Sequence, residues 1–325
     1  KRKGDLEAAV ASYKKALKIK PDCVEVYNNM GRALKDMGDL EAAVNSYNEA
    51  LKIKPDCAEA YNNMGNALQD RGNLEAAVDS YNKALKIKPN FAEAYNNMGN
   101  ALQGMGDLEA AVHSYNKALN IRPDYAVAYN NMGIVLQDKG DQAAAISSYQ
   151  KALKIKPDLA DSYNNLGIVL KDVALYKPNS DLQEIITSML DLKTNVRPKD
   201  ISKAAISLLK FEPIIKELLT KHSAGEVTQS LERLTSNLSE VPLLLKLMSV
   251  CPLADMELEG VLTSLRSALL LSISVVTYSP EVLHFQSALA LQCFTNEYIY
   301  NQSDQESKAL RALEAVVQQM LLNGE

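Results

Sequence analysis

Paired amide side chains recur along the first half of the chain: Asn28-Asn29, Asn62-Asn63, Asn96-Asn97, Asn130-Asn131 and Asn164-Asn165. Each pair follows a Tyr and precedes an apolar residue and a Gly. Asn66 and Asn100 add a third amide one helical turn further on. A carboxamide carries both donors and an acceptor, so one side chain can pair with the C=O and the N–H of an extended peptide. A row of them would read a partner's backbone rather than its side chains. Asn is a mediocre helix former, so ten of them in helix interiors need a reason. The alternative to peptide binding is that the amides are satisfied within the repeat.

The other reactive residue types point away from catalysis. There is no Gly-rich phosphate loop, no dinucleotide fingerprint and no nucleophile elbow. His113, His222 and His284 are too scattered to suggest a metal site, so no cofactor or metal is expected and the chain itself is read as non-enzymatic. Cys23 and Cys57 occupy equivalent positions in consecutive repeats. Packed helices lie about 8–10 Å apart, whereas a disulfide needs Cα atoms within about 7 Å. With Cys251 and Cys293 they read as thiols of a reducing, cytoplasmic compartment. Glu25, Glu59 and Glu93 form a further series. It reads as capping-box acids, the alternative being selection of basic partners.

The amides are positioned by an internal repeat. Pro recurs at 21, 55, 89, 123 and 157, and Gly at 4, 38, 72, 106 and 140 and again at 31, 65, 99, 133 and 167, every series stepping by 34 residues. In one unit Tyr27, Met30, Gly31, Leu34, Ala43, Tyr47, Ala50 and Pro55 stand at the spacing W-x2-L-G-x2-Y, A-x3-F, P, with Tyr for Trp and Leu for Tyr. Each unit reads as helix A (about 24–37) and helix B (about 39–53). Gly38 is placed to cap helix A in the left-handed conformation. Asp39, Asn73, Asp107 and Asp141 are placed to cap the B helices, and Asp56 the next helix A with Glu59 as its box partner. Gly31 and Ala43 are small because the two helices must approach closely, and Tyr27, Met30, Leu34 and Tyr47 fill the space between pairs.

This spacing resembles the tetratricopeptide-repeat (TPR) signature. The resemblance implies an all-α TPR α-solenoid, a right-handed superhelix, over residues 1–172, with five B and five A helices and an incomplete first repeat. Residues 173–180 read as a linker and 181–325 as a non-repetitive helical domain. Helices are expected over about 181–193, 198–210, 213–221, 225–238, 241–250, 255–278, 281–300 and 304–322, with Ser180 capping the first. The first helix B lacks its helix A, which should leave Leu6, Val10, Tyr13 and Leu17 partly uncovered and open to self-association. The incomplete repeat suggests a piece of something longer.

The Tyr-Asn-Asn and Asn-Met-Gly or Asn-Leu-Gly runs of residues 1–172 also resemble the TPR arm of O-linked N-acetylglucosamine transferase. That resemblance implies that the A helices line a concave groove, with an amide ladder at Asn29, Asn63, Asn97, Asn131 and Asn165, and with Asn66 and Asn100 beside it. The carboxylate clamp of other TPR grooves is not matched, since its basic positions hold Glu and Asn. In the second half, Arg197–Leu219 and Leu283–Tyr300, with Gln292, Asn296 and Glu297 on an otherwise apolar helix, resemble the helical segment of bacterial TPR-methyltransferases. The polar trio reads either as a buried network or as a docking surface for a following domain.

Charge narrows the partners. Residues 1–172 hold 22 basic and 22 acidic residues, and residues 173–325 hold 13 and 18. No basic face stands out, so no nucleic acid is expected. The most apolar stretch, 261–278, is interrupted by Arg266 and reads as a core helix, so no membrane span is expected. The reading is a protein-binding module that holds an extended segment of a protein or peptide in the TPR groove. The alternatives are the recruiting arm of a methyltransferase or glycosyltransferase whose catalytic domain follows Glu325, and a purely structural scaffold.

Overall fold

The computed structural model describes residues 3–191, 196–224, 231–251, 253–271 and 285–289 and single positions 292, 305, 308 and 311. The described residues form two compact units, Lys1–Ser162 and Tyr163–Glu325. No strand occurs among the described residues.

The first unit alternates B and A helices in the expected register. The B helices are α1 (Lys3–Ile19), α3 (Leu40–Ile53), α5 (Leu74–Ile87), α7 (Leu108–Ile121) and α9 (Gln142–Ile155). The A helices are α2 (Val24–Asp36), α4 (Ala58–Asp70), α6 (Ala92–Gly104) and α8 (Ala126–Asp138), followed by α10 (Ala160–Leu170), which spans the boundary between the units. Gly38 has φ +85°, which a side chain would oppose. Its N–H donates to Lys35 O (2.9 Å) and that of Asp39 to Leu34 O (3.0 Å), the paired bonds of a Schellman motif.

Within each unit the A–B contact rests on a Tyr set into a Gly. Tyr47, Tyr81, Tyr115 and Tyr149 of the B helices are fully buried. A Cβ added at Gly31, Gly65, Gly99 or Gly133 would meet the ring Cε1 at 2.6, 2.5, 2.7 and 2.6 Å. Ala43, Ala77, Ala111 and Ala145 are fully buried as well. Leu34 completes the core, with Tyr27 and Met30 partly buried against it.

Several local expectations need correction. Asp39, Asp107 and Asp141 accept from Ala42 N (3.2 Å), Ala110 N (3.1 Å) and Ala144 N (3.0 Å), but Asn73 makes no such bond. The residue before helix α4 is Cys57, not Asp56, because the helix begins one residue later than the box requires. Glu59 then bonds its own backbone N–H and Lys88, which hold its carboxyl below the usual range. Leu6 and Val10 are buried against α2, so only Tyr13 and Leu17 fit the expectation of partial exposure. One helix suffices to cover that part of α1.

The second unit contains α11 (Ser180–Asp191), α12 (Pro198–Leu209), α13 (Pro213–Ala224), α14 (Leu231–Ser239), α15 (Pro242–Val250) and α16 (Met256–Leu271). Helices α11, α12 and α15 pack on one another, and α13 packs on α16. Leu182, Ile186, Ile201, Leu208, Leu209, Leu244 and Leu247 form its apolar interior. Asn179, not Ser180, caps α11, its Oδ1 accepting from Leu182 N at 2.9 Å. Asp172 takes φ 56° just after α10, which stops two residues earlier in the repeat frame than α2 does. The helices expected over 281–300 and 304–322 lie largely outside the described residues.

Candidate functional site

The A helices carry the amides, and the side chains join into one hydrogen-bonded file. Asn63 Nδ2 donates to Asn28 Oδ1 of the preceding repeat (3.0 Å). Asn97 donates likewise to Asn62 (3.1 Å) and Asn131 to Asn96 (3.2 Å). Within each helix the inner amide closes the gap: Asn62 to Asn63 (3.5 Å), Asn96 to Asn97 (3.3 Å) and Asn130 to Asn131 (3.4 Å). Ser162 Oγ donates to Asn130 Oδ1 at 2.8 Å and starts the file. Every link between repeats runs from the later one toward the earlier, so the donors of the file point one way and reinforce one another.

Inner and outer amides play different parts. Asn62, Asn96 and Asn130 are buried, whereas Asn63, Asn97 and Asn131 are half-buried. The resemblance to the transferase arm drew attention to the outer set. Both sets carry the links, each outer amide donating to an inner amide of the preceding repeat, and the signal of the inner set in the sequence was the doublet itself. Asn66 and Asn100 are committed elsewhere: their Oδ1 atoms accept the hydroxyls of Tyr81 (2.8 Å) and Tyr115 (2.7 Å). Those acceptor roles follow from packing between A and B helices, which the motif spacing does not express. Asn131 also donates to Asn100 Oδ1 at 3.1 Å. Asn29 accepts from Arg32 Nη2 at 3.4 Å and lines a cavity of about 280 Å³ with Asp5, Tyr13 and Asp36. Asn165 lies on α10 and is itself engaged.

The single Tyr81 proton is shared with Gln69 Oε1 (3.0 Å), and Tyr149 donates to Gln137 (3.3 Å). Tyr47 has no acceptor, because the repeat positions that hold Asn66 and Gln69 are here Arg32 and Lys35. Desolvation raises the pKa of all four phenols, so they stay neutral. Charged pairs frame the helix ends: Lys88–Glu59 (3.1 Å), Arg122–Glu93 (2.7 Å), Lys35–Asp70 (3.0 Å) and Lys139–Glu109 (2.9 Å). Glu93 is thus held by Arg122, which also stacks on Tyr125 at 3.5 Å from the ring centre.

The sequence matches the family described as TPR repeat over residues 1–38, 31–72 and 65–106, and that described as tetratricopeptide repeat over 90–158. Residues 1–158 are tetratricopeptide repeats. Solved structures include MamA, 30% identical, with 49% of this chain and 92% of that one covered at a TM-score of 0.44. YrrB, described as a TPR protein with an unusual peptide-binding site, is 21% identical over 56% of this chain and 92% of its own, at 0.43. Pseudomonas aeruginosa pilF is 18% identical over 81% of this chain and 96% of its own, at 0.45. No curated protein matches.

Among the described residues no His, Cys, Asp and Glu group could hold a metal ion, and no helix is long and apolar enough to cross a membrane. Cys251 is buried, which pushes its thiol up to about 11. Gln292 is buried and engaged, while Asn296 and Glu297 lie outside the described residues.

Proposed function

We propose that the TPR array, taken as residues 1–172, holds an extended segment of a partner protein along its A helices. The contact runs through the backbone-reading amides Asn29, Asn63, Asn97 and Asn131 of the first unit. The observation that carries this reading is the hydrogen-bonding capacity left on Asn63 and Asn97, while Asn131, with both N–H groups spent on Asn96 and Asn100, keeps an acceptor lone pair. Asn63 and Asn97 each spend one N–H on the preceding repeat and one oxygen lone pair on their inner neighbour. A carboxamide has two donors and two lone pairs, so one of each remains. That remainder matches one peptide unit. Asn66 and Asn100 orient the row through their Tyr partners and add side-chain N–H groups. Whether the chain serves as the recruiting arm of a larger methyltransferase or glycosyltransferase is the finer form of the same proposal.

A second reading has its own support. The amide file links three successive pairs of A helices, so the ladder could exist to hold the solenoid together and bind nothing.

Peptides selected from a library of extended segments of about 15 residues would separate the two. Repeats step about 10 Å and an extended chain rises about 3.3 Å per residue, so N-methylation should weaken binding at about every third residue. The combined Asn63→Ala, Asn97→Ala and Asn131→Ala variant should bind at least about tenfold more weakly at unchanged helicity, the loss of two or three bonds of about 0.5–1.5 kcal/mol each. Flat N-methyl scans with full affinity in that variant would leave the scaffold reading standing.

A further inference from the structure

The second unit carries a separate candidate. A trough of about 1070 Å³ opens beside α12, lined among others by Lys171, Tyr176, Lys199, Lys203 and Phe211. Tyr176 is 86% exposed and Phe211 38%, over a floor that includes buried Ile206. Two exposed aromatic rings beside one recess form an apolar surface that no described residue of this unit covers.

The charges around it are unequal. Five cations and three carboxylates line the trough. Arg197 is consumed by Asp200, with Nε at 2.9 Å and Nη2 at 3.2 Å from its two oxygens. Lys210 is consumed by Asp255 (2.7 Å) and Glu257 (2.9 Å). Asp172 is the remaining acid. Lys171, Lys199 and Lys203 are exposed and make no ion pair among the described residues. Lys199 and Lys203 stand one turn apart on the same face of α12. Lys171 and Lys199 line the same trough as Asp200, whose carboxyl Arg197 foremost holds low.

We propose that this trough docks an acidic, amphipathic segment of a partner protein, with carboxylates on Lys171, Lys199 and Lys203 and apolar side chains on Tyr176 and Phe211. The spacing favours a polypeptide. Three flexible point charges distributed along a trough suit carboxylates one helical turn apart. A compact phosphate would instead want the convergent fork of a guanidinium, and the one lining the trough is occupied by Asp200. This site is independent of the amide ladder and stands whether or not the ladder binds peptide.

The test uses the full chain and a fluorescent helical peptide of about 12 residues, with Glu on one face and Leu and Phe on the other. Combined Lys171→Glu, Lys199→Glu and Lys203→Glu should weaken binding by at least about tenfold, while the three Lys→Arg changes keep it within about threefold. Salt raised from about 50 to about 500 mM should weaken the wild type and, by screening repulsion, leave the charge-reversed protein no weaker. Tyr176→Ala should lower affinity several-fold without altering the salt slope. The combined Asn63, Asn97 and Asn131 variant should bind the probe as the wild type does. The proposal is overturned by a probe that does not bind, by binding that charge reversal or Tyr176→Ala leaves unchanged, or by loss in the amide variant, which would place the probe on the ladder. It is equally overturned if phosphatidylserine vesicles bind through the same lysines and the peptide cannot displace them.

Discussion

Replacing Gly65 by Ala tests the contact that builds every repeat. In an exposed helix the change should stabilise, since Ala is favoured over Gly by about 1 kcal/mol. Here the new Cβ would stand 2.5 Å from Cε1, 2.8 Å from Cδ1 and 2.9 Å from Cζ of Tyr81. Carbon atoms rest at about 3.5–4.0 Å, so the ring must retreat by roughly an ångström. It has nowhere to go, being fully buried and held by Asn66 at 2.8 Å and Gln69 at 3.0 Å. Overpacking costs about 1–3 kcal/mol, and loss of the shared hydroxyl bond adds about 0.5–1.5 kcal/mol. Set against the helix-propensity gain, the net loss is about 2 kcal/mol. Urea unfolding followed by circular dichroism would read it as a lower midpoint. Gly4→Ala, whose Cβ meets nothing within 4 Å, should show no loss. In a Tyr81→Leu background, which removes the ring, Gly65→Ala should turn neutral or stabilising. A wild-type background in which Gly65→Ala is stabilising, or a cycle with no coupling, would refute the account.

Other expectations follow from the same geometry. Tyr47→Phe removes a hydroxyl that has no partner and should be neutral or stabilising, whereas Tyr81→Phe removes a donor shared by Asn66 and Gln69 and should cost about 1 kcal/mol by denaturant titration. Asn62→Ala takes a buried link out of the amide file and should destabilise by about 1–3 kcal/mol, while exposed Asn48→Ala should change stability by less than about 0.5 kcal/mol. Burial raises the folded ionisation of Tyr47, Tyr81, Tyr115 and Tyr149 above that of unfolded tyrosine, about 10. Their contribution to stability is therefore full below about pH 10 and is lost as pH rises above it. Tyrosinate absorbance from these residues should appear together with loss of helicity, and a separate, earlier titration of all phenols would contradict it.

Periodicity was the strongest information in the chain. The 34-residue step of Pro and Gly fixed the A and B register, and the helices fall where it placed them to within a residue or two. This is legible because a helix end depends on a few local residues: a glycine that tolerates positive φ, a capping carboxylate, a proline without an N–H. Where two neighbouring residues could each cap, as at Asp56 and Cys57 or Asn179 and Ser180, local chemistry did not choose between them. The helix starts in the second unit followed the prolines at 198, 213 and 242 for the same reason.

The amides show where that reading ends. The sequence determined that Asn pairs recur on A helices, and with them a candidate surface. It did not say which member of a pair faces inward, nor that Asn63 reaches Asn28 in another repeat, nor that the Tyr81 hydroxyl takes up Asn66. Those partners lie 35 and 15 residues away, and only the stacking of helix pairs brings them within 3 Å or so. The same holds for the trough of the second unit, where Lys171 and Lys199 come from separate elements and have no shared spacing to betray them. Backbone conformation is written locally, residue by residue. The hydrogen-bonding capacity a side chain has left to offer is decided only when distant segments pack and claim the rest.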